Sequence, residues 1–110
     1  MNGSKPQESG RWSDPGLLVL ASLAGGAKHG YAIVADVRAT TGVHLGPGTL
    51  YGAIARLEGQ GLIAPLPAQG RRRPYRLTAT GERVLEGQLE LLAAVARTGL
   101  SRLRMGGATA

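Results

Sequence analysis

Arg71, Arg72 and Arg73 are consecutive, and Arg76 follows closely, so four guanidinium groups fall within one short stretch. Each can fork onto phosphate oxygens or enter a narrow minor groove. A run of charge can also be merely solvated, and what stands beside it decides between the two. Upstream, Gly48, Thr49, Tyr51, Gly52, Ala55 and Arg56 recur along one side of a helical segment. The small residues let a backbone come close to a partner, while the two hydroxyls and the guanidinium reach outward. The free amides at the start of such a helix also favour a phosphate. Other chemistry is thin. His29 and His44 lie in different segments with no carboxylate or second His at ligand spacing, and read as surface or loop residues. Glu82, Glu86 and Glu90 form a stripe at i, i+4 and i+8. Paired carboxylates can do acid–base work or hold a cation, but nothing beside these suggests a pocket. They read as a solvated face or as partners for basic residues across a dimer. No glycine-rich loop is followed by Lys-Ser or Lys-Thr. The expectation is therefore no enzyme, no catalytic residue, no metal and no cofactor.

The composition narrows the partner. Among 110 residues, 13 Lys and Arg oppose 7 Asp and Glu, a formal charge of +6, which favours nucleic acid or an anionic surface. Phe and Cys are absent, and Trp12, Tyr31, Tyr51 and Tyr75 are the whole aromatic complement. The core must come from Leu, Ile, Val and Ala, and disulfides and thiolate metal sites are excluded. So small a core is marginal alone, and pairing of two chains is a common remedy. The polar start is unlike a secretory signal, and Leu17 to Ala24 is far too short to span a bilayer, so a soluble, cytoplasmic protein is expected.

Positioning these residues takes five elements. Residues 1–12 read as a flexible arm containing Trp12. Asp14-Pro15 is a helix start, with a capping carboxylate and a proline at the first turn. The apolar segment Gly16–Ala24 must be buried on every side. A second helix is expected over about Gly30–Thr40 and a third over about Thr49–Gln60, with Leu50, Ala53, Ile54 and Leu57 as its inward stripe. The period then changes, and Leu62–Leu66 and Pro74–Thr78 flank a turn at Gln69-Gly70-Arg71. They form a two-stranded hairpin whose prolines call for edge-like strands. Thr78 caps a last helix to about Arg104, where Leu85, Leu89, Leu92, Ala96, Gly99 and Leu103 make a coiled-coil type seam. Of these, Leu85, Leu89, Leu92, Ala96 and Leu103 are the expected dimerisation residues. The fold class is mainly α (α+β): a winged helix-turn-helix with a two-stranded wing and a long C-terminal dimerisation helix. Its expected divisions are the arm 1–12, the DNA-binding domain 13–78, the dimerisation helix 79–105 and a frayed tail 106–110.

Several linked motifs resemble PadR-type regulators. They are Gly30-Tyr31, Gly48-Thr49-Leu50-Tyr51, Arg56-Leu57-Glu58, Gly61-Leu62-Ile63, Gly70-Arg71-Arg72-Arg73 with Tyr75 and Leu77-Thr78, and finally Gly81. The match runs in order over about residues 15–92 and resembles the short branch with a single C-terminal helix. The chain departs from the pattern at Gly52, Pro74 and Arg76, where proline, a basic residue and tyrosine are common. The resemblance implies a homodimeric winged-helix repressor in which Thr49, Tyr51 and Arg56 face DNA and Arg71, Arg72 and Arg73 serve the wing. Some relatives stack flat aromatic ligands between their last helices by means of tryptophan. Here the last helix has no aromatic residue, so any small-molecule effector is of unknown identity. The expected function is sequence-specific binding of double-stranded DNA at a pseudo-palindromic operator, with Gly48, Thr49, Tyr51, Gly52, Arg56, Arg71, Arg72 and Arg73 as contacts. The alternative is a winged-helix adaptor binding RNA or a protein partner.

Overall fold

Asp14 opens the first helix of the computed structural model, which describes residues 14–109; the arm and Trp12 lie outside the described residues. In α1 (Pro15–Leu23) the Asp14 carboxylate accepts the Gly16 N–H at 2.9 Å, and Pro15 takes a first-turn position where no amide is needed. Two residues of strand, β1 (Lys28–His29), lead into α2 (Gly30–Thr41), which ends on Gly42 at φ 78°. Then come α3 (Pro47–Gly59), β2 (Ile63–Pro65), β3 (Pro74–Leu77) and α4 (Ala79–Thr109). Helix α3 begins at Pro47 rather than Thr49, because proline presets the helical φ and has no N–H to leave unsatisfied. Its other end closes on Gly61, with Gly61 N–H donating to Glu58 O and Leu62 N–H to Leu57 O.

The sheet has three strands, all antiparallel, in the order β1-β3-β2. The hairpin expected from the sequence is its larger part, with Ile63 opposite Leu77 and Pro65 opposite Tyr75. The third strand, β1, pairs Lys28 with Tyr75 and His29 with Pro74. Pro65 does lie on the edge strand β2, but the presence of β1 makes β3 the central strand, which corrects the edge expected for Pro74. Pro74 is buried there as the first residue of β3, a position that tolerates a missing donor, and its carbonyl still accepts from Leu66 N–H at 2.8 Å.

The core gathers Val19, Leu20 and Leu23 of α1, Ile33 and Val37 of α2, and Leu50, Ala53, Ile54 and Leu57 of α3. Leu45, Leu62, Ile63 and Leu85 complete it. Buried Ser22 donates to the Asp36 carboxylate at 2.7 Å, joining α1 to α2 without leaving its hydroxyl unpaired. The start of α4 is seated by Thr78, whose hydroxyl donates to Gly61 O and accepts the Gly81 N–H. A Cβ on Gly81 would lie 2.0 Å from Leu62 O, so helix and preceding turn meet backbone to backbone. Leu85 is a correction to the expected seam. Only 4% exposed, it packs inside its own protomer rather than outward. Leu89, Leu92 and Leu103 remain exposed, together with Leu91, Val95, Leu100 and Met105. Helical backbone continues to Thr109, past the end expected from the sequence.

Candidate nucleic-acid interface

Because α3 buries Leu50, Ala53, Ile54 and Leu57 at helical spacing, its other side turns outward. Gly48, Thr49, Ala55 and Arg56 are exposed, Tyr51 is half exposed and Gly52 is partly covered. Gly46 caps the helix without a side-chain hydrogen bond, so among the described residues no carboxylate or hydroxyl caps the first-turn amides. The face is less bare than the small residues suggest. A Cβ on Gly52 would lie 3.9 Å from an Arg56 Nη, so the guanidinium folds back over that glycine. Tyr51 leans away from it, across the start of α2. A Cβ on Gly30 would stand 2.8 Å from the Tyr51 hydroxyl oxygen, so any larger residue there would push the phenol aside.

The wing brings its arginines to the same side. Gln69 and Arg72 exchange both backbone hydrogen bonds, at 2.7 and 3.0 Å, enclosing Gly70 and Arg71 in a two-residue turn. Gly70 has φ 64° and, among the described residues, no non-glycine has positive φ, which is the pattern of a type II′ hairpin. The arginines are held differently. Arg73 donates to Leu66 O at 2.8 Å across the hairpin, and Arg76 to Leu77 O at 3.1 Å. Arg72 lies 3.4 Å from His29 Nε2. His29 uses Nδ1 to accept the Ala32 N–H at 3.3 Å and so caps α2. Arg72 thus packs against the Nε2 edge of the His29 ring. Arg71 stands exposed at the tip.

Between wing and helices lies a cleft of about 220 Å³, lined by His29, Gly30, Tyr31, Tyr51, Arg71, Arg72, Arg73 and Tyr75. It unites the three wing arginines with Tyr51. Gly48, Thr49, Gly52 and Arg56 lie outside it, along the rest of the α3 face. His29, Tyr31 and Tyr75 join the site from elements that residue chemistry alone did not assign to it. Gly30-Tyr31 and Tyr75 were visible only as family motifs, and β1, which carries His29, is too short to show a period. Burial raises the Tyr75 pKa above 10, and the charge of Glu58 adds to the effect, while Arg73 pulls the other way. The phenol is thus a neutral donor. On the far side of Tyr51 a more apolar hollow of about 330 Å³ is lined by Tyr31, Val34, His44, Leu45, Pro47 and Leu50 as well. Among the described residues no cluster of His, Cys, Asp and Glu is placed to hold a metal ion.

The sequence matches the model of the transcriptional regulator PadR-like family over residues 19–87, from the middle of α1 into α4. The chain belongs to the PadR-like family of transcriptional regulators. Solved structures agree with this in fold. A PadR family regulator from Eggerthella lenta is 34% identical, with a TM-score of 0.71, covering 91% of this chain and 89% of its own. One from Clostridium difficile is 26% identical at a TM-score of 0.73, covering 81% of this chain and 97% of its own. A transcriptional regulator from Clostridium thermocellum is 29% identical at 0.68, covering 76% and 84%. The chain is also 48% identical over 83 residues, 76% of its length, to a 37.1 kDa protein in transposon TN4556 of Streptomyces fradiae, of which it spans 24%. PadR-like proteins are transcriptional regulators, not enzymes. Among the described residues no helix is long and apolar enough to cross a membrane.

Proposed function

We propose that this PadR protein is a cytoplasmic repressor that binds a pseudo-palindromic operator as a homodimer. The observation that carries the reading is the cleft in which Tyr51 of α3 meets Arg71, Arg72 and Arg73 of the wing. In that reading α3 enters the major groove. Gly48 and Gly52 allow close approach, and Thr49, Tyr51 and Arg56 face base edges and flanking phosphates. The arginines of the wing lie over the adjacent backbone or minor groove. The exposed apolar residues of α4 support pairing of two chains, because so many uncovered leucines on one helix call for a partner.

Selection of bound fragments from random duplex, followed by gel-shift competition, tests it. Selected sites should carry inverted symmetry and should outcompete random duplex and structured RNA alike. Preferential capture of structured RNA would overturn the reading in favour of an RNA adaptor. A small-molecule effector would be recognised as a compound that releases the selected duplex.

A further inference from the structure

On the side of Tyr51 away from the wing, buried Leu45 and Leu50 and half-buried Val34 floor the hollow of about 330 Å³. Exposed Tyr31, Tyr51 and Pro47 stand around its mouth. Among the described residues no carboxylate, side-chain amide or guanidinium lines it, and its polar side-chain groups are the two tyrosine hydroxyls and the His44 imidazole. Both tyrosines also line the cleft that holds the wing arginines, so hollow and cleft adjoin across them. At about 100° per residue, Pro47 and Tyr51 stand on the flank of α3 that borders α2. Gly48, Gly52 and Ala55 run along the middle of its outward side, with Thr49 and Arg56 on the far flank. The hollow therefore continues the candidate DNA face, at the edge where α3 gives way to the first turn of α2.

The geometry points to the C5 methyl group of a thymine as the occupant of this hollow, one in each half-site; this rests on the operator reading above. In that reading the start of α3 meets base edges, and the helix before it crosses the backbone. A group that fills the hollow must therefore be apolar and must stand where the bases adjoin their own strand. On the major-groove edges of the four bases only thymine offers such a group. Its C5 lies nearer its own sugar than O4 does, because it is a bond closer to the glycosidic nitrogen. The mouth is wider than a methyl group, so the C5–C6 edge of the ring follows the methyl between Tyr31 and Tyr51. A purine would instead bring its N7 acceptor over buried Leu45 and Leu50, losing water without gaining a hydrogen bond. Cytosine leaves the hollow unfilled, and so does the uracil of RNA.

Deoxyuridine in place of thymidine removes the methyl group and leaves O4 and the base pair intact. In duplexes selected by this chain, each thymine of a half-site is replaced in turn and the affinity read by gel shift. One position per half-site should lose about fourfold, the worth of one buried carbon, and both half-sites together about fifteenfold. Cytosine methylated at C5 should there bind about fourfold tighter than plain cytosine. Tyr31→Ala opens the mouth and Val34→Ser makes the floor polar, and in both chains the deoxyuridine penalty should shrink below about twofold. Tyr31 is exposed in the fold, so its variant carries the test where Val34→Ser loses helicity by circular dichroism. Arg71→Ala, outside the hollow, should weaken both duplexes alike and keep their ratio. Selected sites in which no methyl matters, or a penalty that Tyr31→Ala leaves whole, would place the hollow off the groove and overturn the inference while the operator reading stands. Selected DNA that shares no sequence would instead remove the operator reading itself.

Discussion

Arg71 and Arg73 are two positions apart, yet their substitution should have different consequences. Arg71 stands at the hairpin tip, so Arg71→Ala should leave one phosphate without its cation and change little else. We expect operator and random duplex to weaken nearly equally, with the salt slope reduced by about 0.9 for each phosphate no longer neutralised, as read from titrations across a salt series. Arg73→Ala should also free Leu66 O and loosen the hairpin, so its effect should exceed what one phosphate explains. Thr49→Ala and Tyr51→Phe should lower operator affinity by about 1–3 kcal/mol while sparing random duplex, if each hydroxyl meets a base edge. A wing variant that changes base preference would reverse these roles. Tyr75 offers a separate readout. Its folded-state pKa is raised, burial being the main cause and Glu58 the second. It should therefore ionise above pH 10 in an ultraviolet titration, and Glu58→Gln should lower its pKa only in part. The sign for stability follows. The group contributes nothing near neutrality, and stability falls as pH climbs above about 10 towards the raised value.

Helices were more legible than strands, and the reason is length. Leu50, Ala53, Ile54 and Leu57 span a full helical repeat and read directly as a buried stripe. By contrast β1 is two residues long, too short to display alternation, and its pairing with β3 arises only once the chain has folded back. That unseen partner is also why Pro74 could not be recognised as central. The wing turn was legible because Gly70 supplies the positive φ that such a turn requires. Contacts that depend on backbone approach, such as Arg56 over Gly52 or Tyr51 over Gly30, leave no period in the sequence. Within α4 the glycines differ in kind, and a pair of substitutions separates them. Gly81→Ala places a methyl group into Leu62 O and should destabilise by about 1–3 kcal/mol or more. Gly87 has nothing within 4 Å of where a Cβ would stand, so Gly87→Ala should stabilise by about 0.5–1 kcal/mol. Urea denaturation followed by circular dichroism measures both. Equal effects would mean that α4 does not seat on the turn.

At the scale of the molecule, the heptad pattern of α4 joined two surfaces that the fold keeps apart. Leu85 satisfies the seam spacing but is claimed by the protomer core, because α4 crosses the end of α1 before leaving the domain. Periodicity shows which side of a helix is apolar, not what covers it. Aspartate at Leu89 and Leu92 should consequently give a folded monomer with weakened operator binding, since both side chains are exposed in the single chain. Sedimentation and circular dichroism check the two halves of that statement, and loss of fold would place both residues in a protomer core. In the proposed homodimer, the two copies of α3 should read half-sites centred about 34 Å apart, one turn of duplex. Insertion of about five base pairs between them should abolish tight binding. The backbone contact at Gly81 gives that spacing a mechanical meaning. With no side chain between α4 and the Leu62 turn, the contact is a fulcrum without a cushion. A helix of 31 residues is about 46 Å long, so one degree of tilt there moves its far end by roughly 0.8 Å. A compound lodged beside the pivot would need to turn it only slightly to carry the two reading heads out of step with the double helix.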